Sequence, residues 1–146
     1  MLRFRFLPKK SYKRFFRDTN KQATAQVIKD MDAICSTFLA RHQFKYGYMG
    51  ATGIHTLNTE ARQRMMENQP MIDELKGGRI TARLIAYLFI SETCQSFLRS
   101  DRGHTDGEAV FDLLKFTLDG LCQEKFLDQA AIREIIESMA PGKDHT

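Results

Sequence analysis

Apolar residues recur at every third or fourth position over most of the chain, which is the spacing of an amphipathic α-helix. This pattern predicts a first helix over residues 20–42 and a short helix over residues 60–68. Pro70 suits the first turn of a further short segment, which Gly77 and Gly78 would end. The first half of the chain is therefore expected to hold one long helix and one or two short ones.

The second half of the chain has the pattern of three longer helices. A run from Thr81 to about Arg99 is apolar on all sides in its middle, which predicts a helix buried at the centre of the core. A polar loop over residues 100–107 precedes the next helix, which extends to about Lys125. A last helix follows Asp128, whose carboxylate can cap it.

These elements predict an all-α fold, a single-domain helical bundle of about four longer helices and one or two short ones with a basic N-terminal arm. A chain of 146 residues suits one domain of this kind. We expect the arm over residues 1–19, the bundle over residues 20–140 and a short tail over residues 141–146. The residues on the most apolar helix faces are expected in the core: Leu84, Leu88, Leu114 and Ile135.

Charge is divided unevenly along the chain. Residues 1–17 contain seven lysines and arginines and no acidic residue, so this segment carries +7. The other 15 basic residues are outnumbered by 18 acidic ones, so residues 18–146 carry a formal charge of −3. A basic arm on a mildly acidic body indicates a polyanionic partner.

Aromatic side chains alternate with the cations of this arm. Cations neutralise phosphates while rings stack on exposed bases, so the mixture predicts binding to nucleic acid first. An acidic protein surface is the second possibility, and an anionic membrane surface the third. The bland alternative is that the rings pack on the bundle and the cations stay solvated. The candidate binding residues are Arg3, Arg5, Lys9, Lys10, Tyr12, Lys13, Arg14, Phe15, Phe16 and Arg17.

A second candidate region is the stretch from Lys45 to His55. Its three glycines at three-residue intervals predict a loop, and backbone amides in such a loop can hold an anion. The alternative is a simple helix connection whose side chains fold back on the core. The candidate residues of this loop are Lys45, Tyr46, Tyr48 and Met49.

Spacings typical of catalytic or metal-binding motifs are not found. No two of the four histidines lie three to five residues apart, and the three cysteines fall within apolar helical patterns. We therefore expect no catalytic residues, no metal and no cofactor, and reduced thiols in the core. Neither a signal peptide nor a membrane span is evident, so a cytoplasmic location is expected.

The sequence therefore predicts a small non-enzymatic regulatory or adaptor protein that binds a polyanionic macromolecule through its arm. An adaptor or inhibitor that docks on an acidic protein is the alternative. A third possibility is an enzyme or small-ligand binder with its site in a pocket between helices. The oligomeric state stays open, with a dimer possible.

Overall fold

The computed structural model describes residues 21–42, 45–68, 78, 80–100 and 107–139. Within these ranges the chain is helical and contains no strand, which confirms the predicted all-α class. The predicted arm, the segment after Pro70, the loop over residues 101–106 and the C-terminal tail lie outside them. The helices are α1 (Lys21–Arg41), α2 (Gly47–Glu67), α3 (Ala82–Ser100), α4 (Gly107–Gln123) and α5 (Gln129–Met139).

Helix α3 lies at the centre of the described helices and packs against the other four. Ile85, Leu88 and Phe89 are fully buried, as the continuous apolar run predicts for a helix that is covered on all sides. The four residues expected in the core, Leu84, Leu88, Leu114 and Ile135, are all buried.

Two helix starts carry side-chain caps, and the one at Asp128 confirms the cap predicted from the sequence. The Leu84 backbone N–H donates to Thr81 Oγ1 at 3.1 Å at the start of α3. The Ala131 N–H donates to Asp128 Oδ1 at 2.8 Å at the start of α5. Each cap supplies an acceptor to an N–H group that lacks a partner within the helix.

The prediction of a loop from Lys45 to His55 is wrong from Gly47 onward, where helix α2 begins. That residue begins α2 in the left-handed conformation, with φ of +70°, which glycine adopts without strain. Gly50 and Gly53 lie inside the helix on the face that buries Ile54 and Leu57. Burial of that face outweighs the cost of about 1 kcal/mol for each internal glycine. The short helix predicted over residues 60–68 is accordingly the second half of a 21-residue helix.

The three cysteines are free thiols. Cys35 and Cys94 are buried in the core, whereas Cys122 is half-buried and accepts a hydrogen bond from Gln129 Nε2 at 3.3 Å. Burial raises the pKa of Cys35 to about 12 and holds the pKa of Cys94 well above its usual value. Both buried thiols are therefore protonated at neutral pH.

None of the helices in the described part of the chain is long and apolar enough to cross a membrane.

Candidate functional site

The ten candidate residues of the basic arm lie outside the described residues, so the structure does not show where they are placed. The arm joins the bundle at the start of α1, Lys21. The candidate sites within the described helices are a polar groove and a polar contact around Asp112.

The groove lies between α1, α3 and α4 and encloses about 230 Å³. Polar and charged side chains from all three helices line it, and it is open to solvent along one side. Its lining residues recur at helical spacing on each element, so the groove follows one face of α1 over about three turns. Its charged or hydrogen-bonding lining residues are Asp30, Thr37, Arg41, Arg83, Tyr87, Asp119 and Gln123.

The wall of the groove depends on Gly120 in α4. A Cβ atom at that position would overlap the Tyr87 ring at Cζ, so the ring occupies the space that any other side chain would fill. The ring therefore lies directly against the α4 backbone. This contact sets the width of the groove between α3 and α4.

Two arginines of the groove have no ion-pair partner within the described ranges. The Arg41 guanidinium lies over the Phe116 ring, 5.4 Å from its centroid, and Arg83 lies one turn before Tyr87 on α3. The cation–π contact orients the Arg41 guanidinium and leaves its N–H groups available to an acceptor.

Among the residues that the structure describes, the two carboxylates of the groove accept hydrogen bonds from glutamine amides of their own helices. Gln26 Nε2 donates to Asp30 at 3.1 Å, and Gln123 Nε2 donates to Asp119 at 3.2 Å. A carboxylate has acceptor sites for several donors, so both can accept a further hydrogen bond.

Tyr87 is a further polar residue in the lining of the groove. Burial raises its pKa, the positive charges of Arg83 and Arg41 lower it, and the negative charges of Glu124 and Asp119 raise it. The net shift is upward, so the hydroxyl is neutral at physiological pH and can both donate and accept a hydrogen bond.

The second polar contact centres on Asp112 of α4, whose side chain is only 12% exposed. The Tyr46 hydroxyl donates to Asp112 Oδ2, and Lys45 Nζ donates to the same oxygen at 2.9 Å. Lys115 Nζ lies 3.2 Å from Oδ1. Burial raises the pKa of Asp112, but the hydrogen bonds from Tyr46, Lys45 and Lys115 lower it by more, so it stays below its usual 3.8.

The structure separates the four residues of the second candidate region. Lys45 and Tyr46 meet at Asp112, and the Tyr46 ring stacks on Phe38 with centroids 6.2 Å apart. Tyr48 and Met49 extend into solvent with 84% and 64% of their surface exposed. The first two therefore fold back on the bundle, whereas the other two do not.

Sequence reasoning did not find the groove or the role of Asp112. Each groove residue is an ordinary polar position when its own helix is considered alone. The spacing Asp30, Thr37 and Arg41 places these side chains on one face of α1, but only packing shows that this face borders a groove.

No group of three His, Cys, Asp or Glu side chains that could hold a metal ion occurs in the residues that the structure places. Comparison with known proteins gives no match, either to a protein-family model, to a curated protein or to a solved structure.

Proposed function

We propose that the protein is a small non-enzymatic binding protein, regulatory or adaptor-like, that binds nucleic acid through its basic aromatic arm. The observation that supports this proposal most strongly is the segregation of charge. Residues 1–17 carry +7 without a single acidic residue, while the rest of the chain carries −3. Electrostatic attraction to phosphates is therefore concentrated in one short segment.

The bundle acts in this proposal as a scaffold that holds the arm. Its net negative charge repels a polyanion, so contacts with phosphates are confined to the arm. Among the bundle's own cations, Lys45 and Lys115 are engaged by Asp112. They are therefore poorly placed to form a second phosphate-binding surface.

The rings of the arm give the proposal a second component. Five aromatic residues lie among the seven cations, and base stacking contributes about 1–3 kcal/mol per base in proteins that bind single strands. Single-stranded nucleic acid is therefore the preferred form, since its bases are accessible to stacking. Three free thiols fit a reducing compartment, and we place this activity in the cytoplasm.

The test is a titration of fluorescently labelled single-stranded and duplex oligonucleotides with the full chain, followed by anisotropy. Changing Lys9, Lys10 and Lys13 to Gln removes three charges and leaves every ring. We expect this variant to bind at least tenfold more weakly at low salt. A matched control removes three exposed cations from the bundle, with Lys29, Lys125 and Arg133 changed to Gln, and should bind with nearly unchanged affinity.

Changing Phe15 and Phe16 to Ala separates nucleic acid from an acidic protein as the partner. Loss of these rings should reduce the preference for single strands over duplex, because only single strands offer bases for stacking. An acidic protein partner would instead depend on the rings as buried anchors, and the chain would bind neither oligonucleotide. Equal weakening by the arm and bundle charge variants would contradict the proposal.

A further inference from the structure

The side of α2 that points away from the core carries apolar side chains that the arm's proposed role does not use. Four large hydrophobic side chains are exposed in the described part of the chain, and three of them lie on α2. Apolar side chains that collect on one surface mark an interaction site. The exposed residues of this outer face are Tyr48, Met49, Thr52, His55, Thr56, Thr59, Gln63 and Met66.

The outer face of α2 also lacks charge. No exposed residue from position 47 to position 66 is Lys, Arg, Asp or Glu, although 27% of the whole chain is charged. The charges along its edges are paired within the chain, since Arg62 donates to Asp32 and Arg64 lies 3.6 Å from Glu60. Exposed Met and Tyr side chains without neighbouring charges are typical of the centre of a protein–protein interface.

Six positions of the outer face follow a regular spacing. Steps of three and four residues alternate from the first to the last, as they do for positions a and d of a heptad. This spacing keeps one narrow stripe in contact with a second helix along its whole length. The stripe is therefore suited to pack on one further helix. Its six residues are Met49, Thr52, Thr56, Thr59, Gln63 and Met66.

The threonines of the stripe can be buried at little cost. Thr56 Oγ1 donates to the Thr52 carbonyl at 3.0 Å, and Thr59 Oγ1 donates to the His55 carbonyl at 3.1 Å. Both hydroxyl donors therefore already have acceptors within the helix. Covering them with another surface leaves neither donor without a partner.

We infer that the outer face of α2 packs against the same face of a second copy of the chain, in an antiparallel pair with two-fold symmetry. The steps of three, four, three, four and three residues read the same in both directions, so an antiparallel copy meets the stripe layer by layer. Identical faces that meet about a two-fold axis form the commonest kind of homo-oligomer. The facing pairs are Met49 with Met66, Thr52 with Gln63, and Thr56 with Thr59.

Charge and polarity favour a second copy as the occupant of this face. Two uncharged faces approach without repulsion, whereas an acidic or basic partner would find no opposite charge there. The antiparallel orientation places the positive end of each helix dipole beside the negative end of the other. The Gln63 amide of one copy can hydrogen-bond to the Thr52 hydroxyl of the other, and a polar layer of this kind fixes the register.

The first test is analytical ultracentrifugation of the full-length protein over a range of concentrations, after nuclease treatment to remove nucleic acid. We expect a monomer–dimer equilibrium whose dissociation constant changes little with salt, because the contact contains no charge. Dimers held by the basic arm of one copy on the acidic body of another would instead dissociate as salt rises. That result, or a monomer at every concentration up to those used for NMR, would overturn the inference.

A charge at the centre of the stripe tests the face itself. Thr56→Glu places one carboxylate from each copy in the middle of the contact and should raise the dissociation constant at least tenfold. The matched control Ser36→Glu adds the same charge at an exposed position of α1 and should leave it unchanged. Circular dichroism shows whether each variant keeps the helical fold. An unchanged dissociation constant in folded Thr56→Glu would contradict the contact.

Cross-linking tests the orientation in a Cys122→Ser background, where the two remaining cysteines are buried. A short bifunctional maleimide should join Met49→Cys chains to Met66→Cys chains when the two variants are mixed. Neither variant should cross-link with itself, because the two copies of position 49 lie about 25 Å apart along an antiparallel pair. Self-linking of either variant, or no link in the mixture, would refute the arrangement. These experiments contain no nucleic acid, so their failure leaves the proposal for the arm intact.

Discussion

The contact between Tyr46 and Asp112 offers a quantitative test of how the start of α2 is held. Tyr46 is the residue before α2, and its side chain does not cap that helix. Instead its hydroxyl donates to the Asp112 carboxylate across a sequence separation of 66 residues. Changing Tyr46 to Phe removes only this hydroxyl and keeps the ring on Phe38.

The size of the effect follows from burial and charge. A hydrogen bond to a charged group contributes about 1.5–3 kcal/mol, and Asp112 is only 12% exposed. The lysines that also contact Asp112 are close to half exposed, so solvent screens their ion pairs and each contributes less than the tyrosine hydrogen bond. We therefore expect Tyr46→Phe to lower the free energy of unfolding by about 2 kcal/mol and Lys115→Gln by less than 1 kcal/mol.

A double-mutant cycle in urea isolates the pair. In an Asp112→Ala background, Tyr46→Phe should cost close to nothing, which gives a coupling free energy of about 1.5–3 kcal/mol. A coupling free energy below about 0.5 kcal/mol would contradict a stabilising hydrogen bond between the Tyr46 hydroxyl and the Asp112 carboxylate. If Tyr46→Phe lowers the free energy of unfolding equally with and without Asp112, the loss arises from contacts of Tyr46 other than the one with Asp112.

The Asp112 carboxylate also makes the free energy of unfolding depend on pH in the acid range. Its folded pKa is below the usual 3.8, so its stabilisation is present above that pH and is lost as the pH falls through the lower folded value. In Asp112→Asn the free energy of unfolding should fall less as the pH is lowered, because the residue no longer titrates. An identical pH dependence in the variant and the unmodified chain would contradict the contribution of Asp112.

Further predictions concern the core, the buried thiols and the groove wall. Leu88→Ala should lower the free energy of unfolding in urea by about 2–5 kcal/mol, and no loss would contradict a central α3. Because the folded pKa of Cys35 is about 12, its stabilisation should be lost as pH rises from about 9 toward 12, and the alkaline slope should be smaller in Cys35→Ala. A thiol reagent should modify Cys122 before Cys35 and Cys94, and equal rates under native conditions would contradict their burial. Gly120→Ala should displace the Tyr87 ring and perturb its aromatic proton signals, whereas an unchanged ring environment would contradict the close contact.

The sequence was informative for helices whose local signals agree. For α1, α3, α4 and α5, apolar periodicity and flanking polar residues point to nearly the same boundaries, and Asp128 caps α5 as predicted. For α2 the local signals disagree. Its glycines disfavour a helix, whereas burial of its apolar residues in the core favours one. Only the packed structure shows that tertiary contacts prevail there.

The candidate sites were less accessible to sequence reasoning because they depend on distant residues. The groove needs three helices to pack, and the importance of Gly120 becomes visible only through Tyr87. Asp112 and Tyr46 are 66 residues apart, and no sequence motif indicates that they are in contact. The basic arm is the opposite case, since its charge is evident in the sequence and its placement lies outside the described residues.

The salt dependence of nucleic-acid binding tests the central proposal most directly. If all seven arm cations contact phosphates, the logarithm of the duplex binding constant should fall against the logarithm of salt concentration with a slope of about −6. Removing the charges of Lys9, Lys10 and Lys13 should reduce the steepness by about 3, and removing three bundle charges should leave it unchanged. Absence of binding at low salt, or an arm variant with the slope of the unmodified chain, would contradict the account.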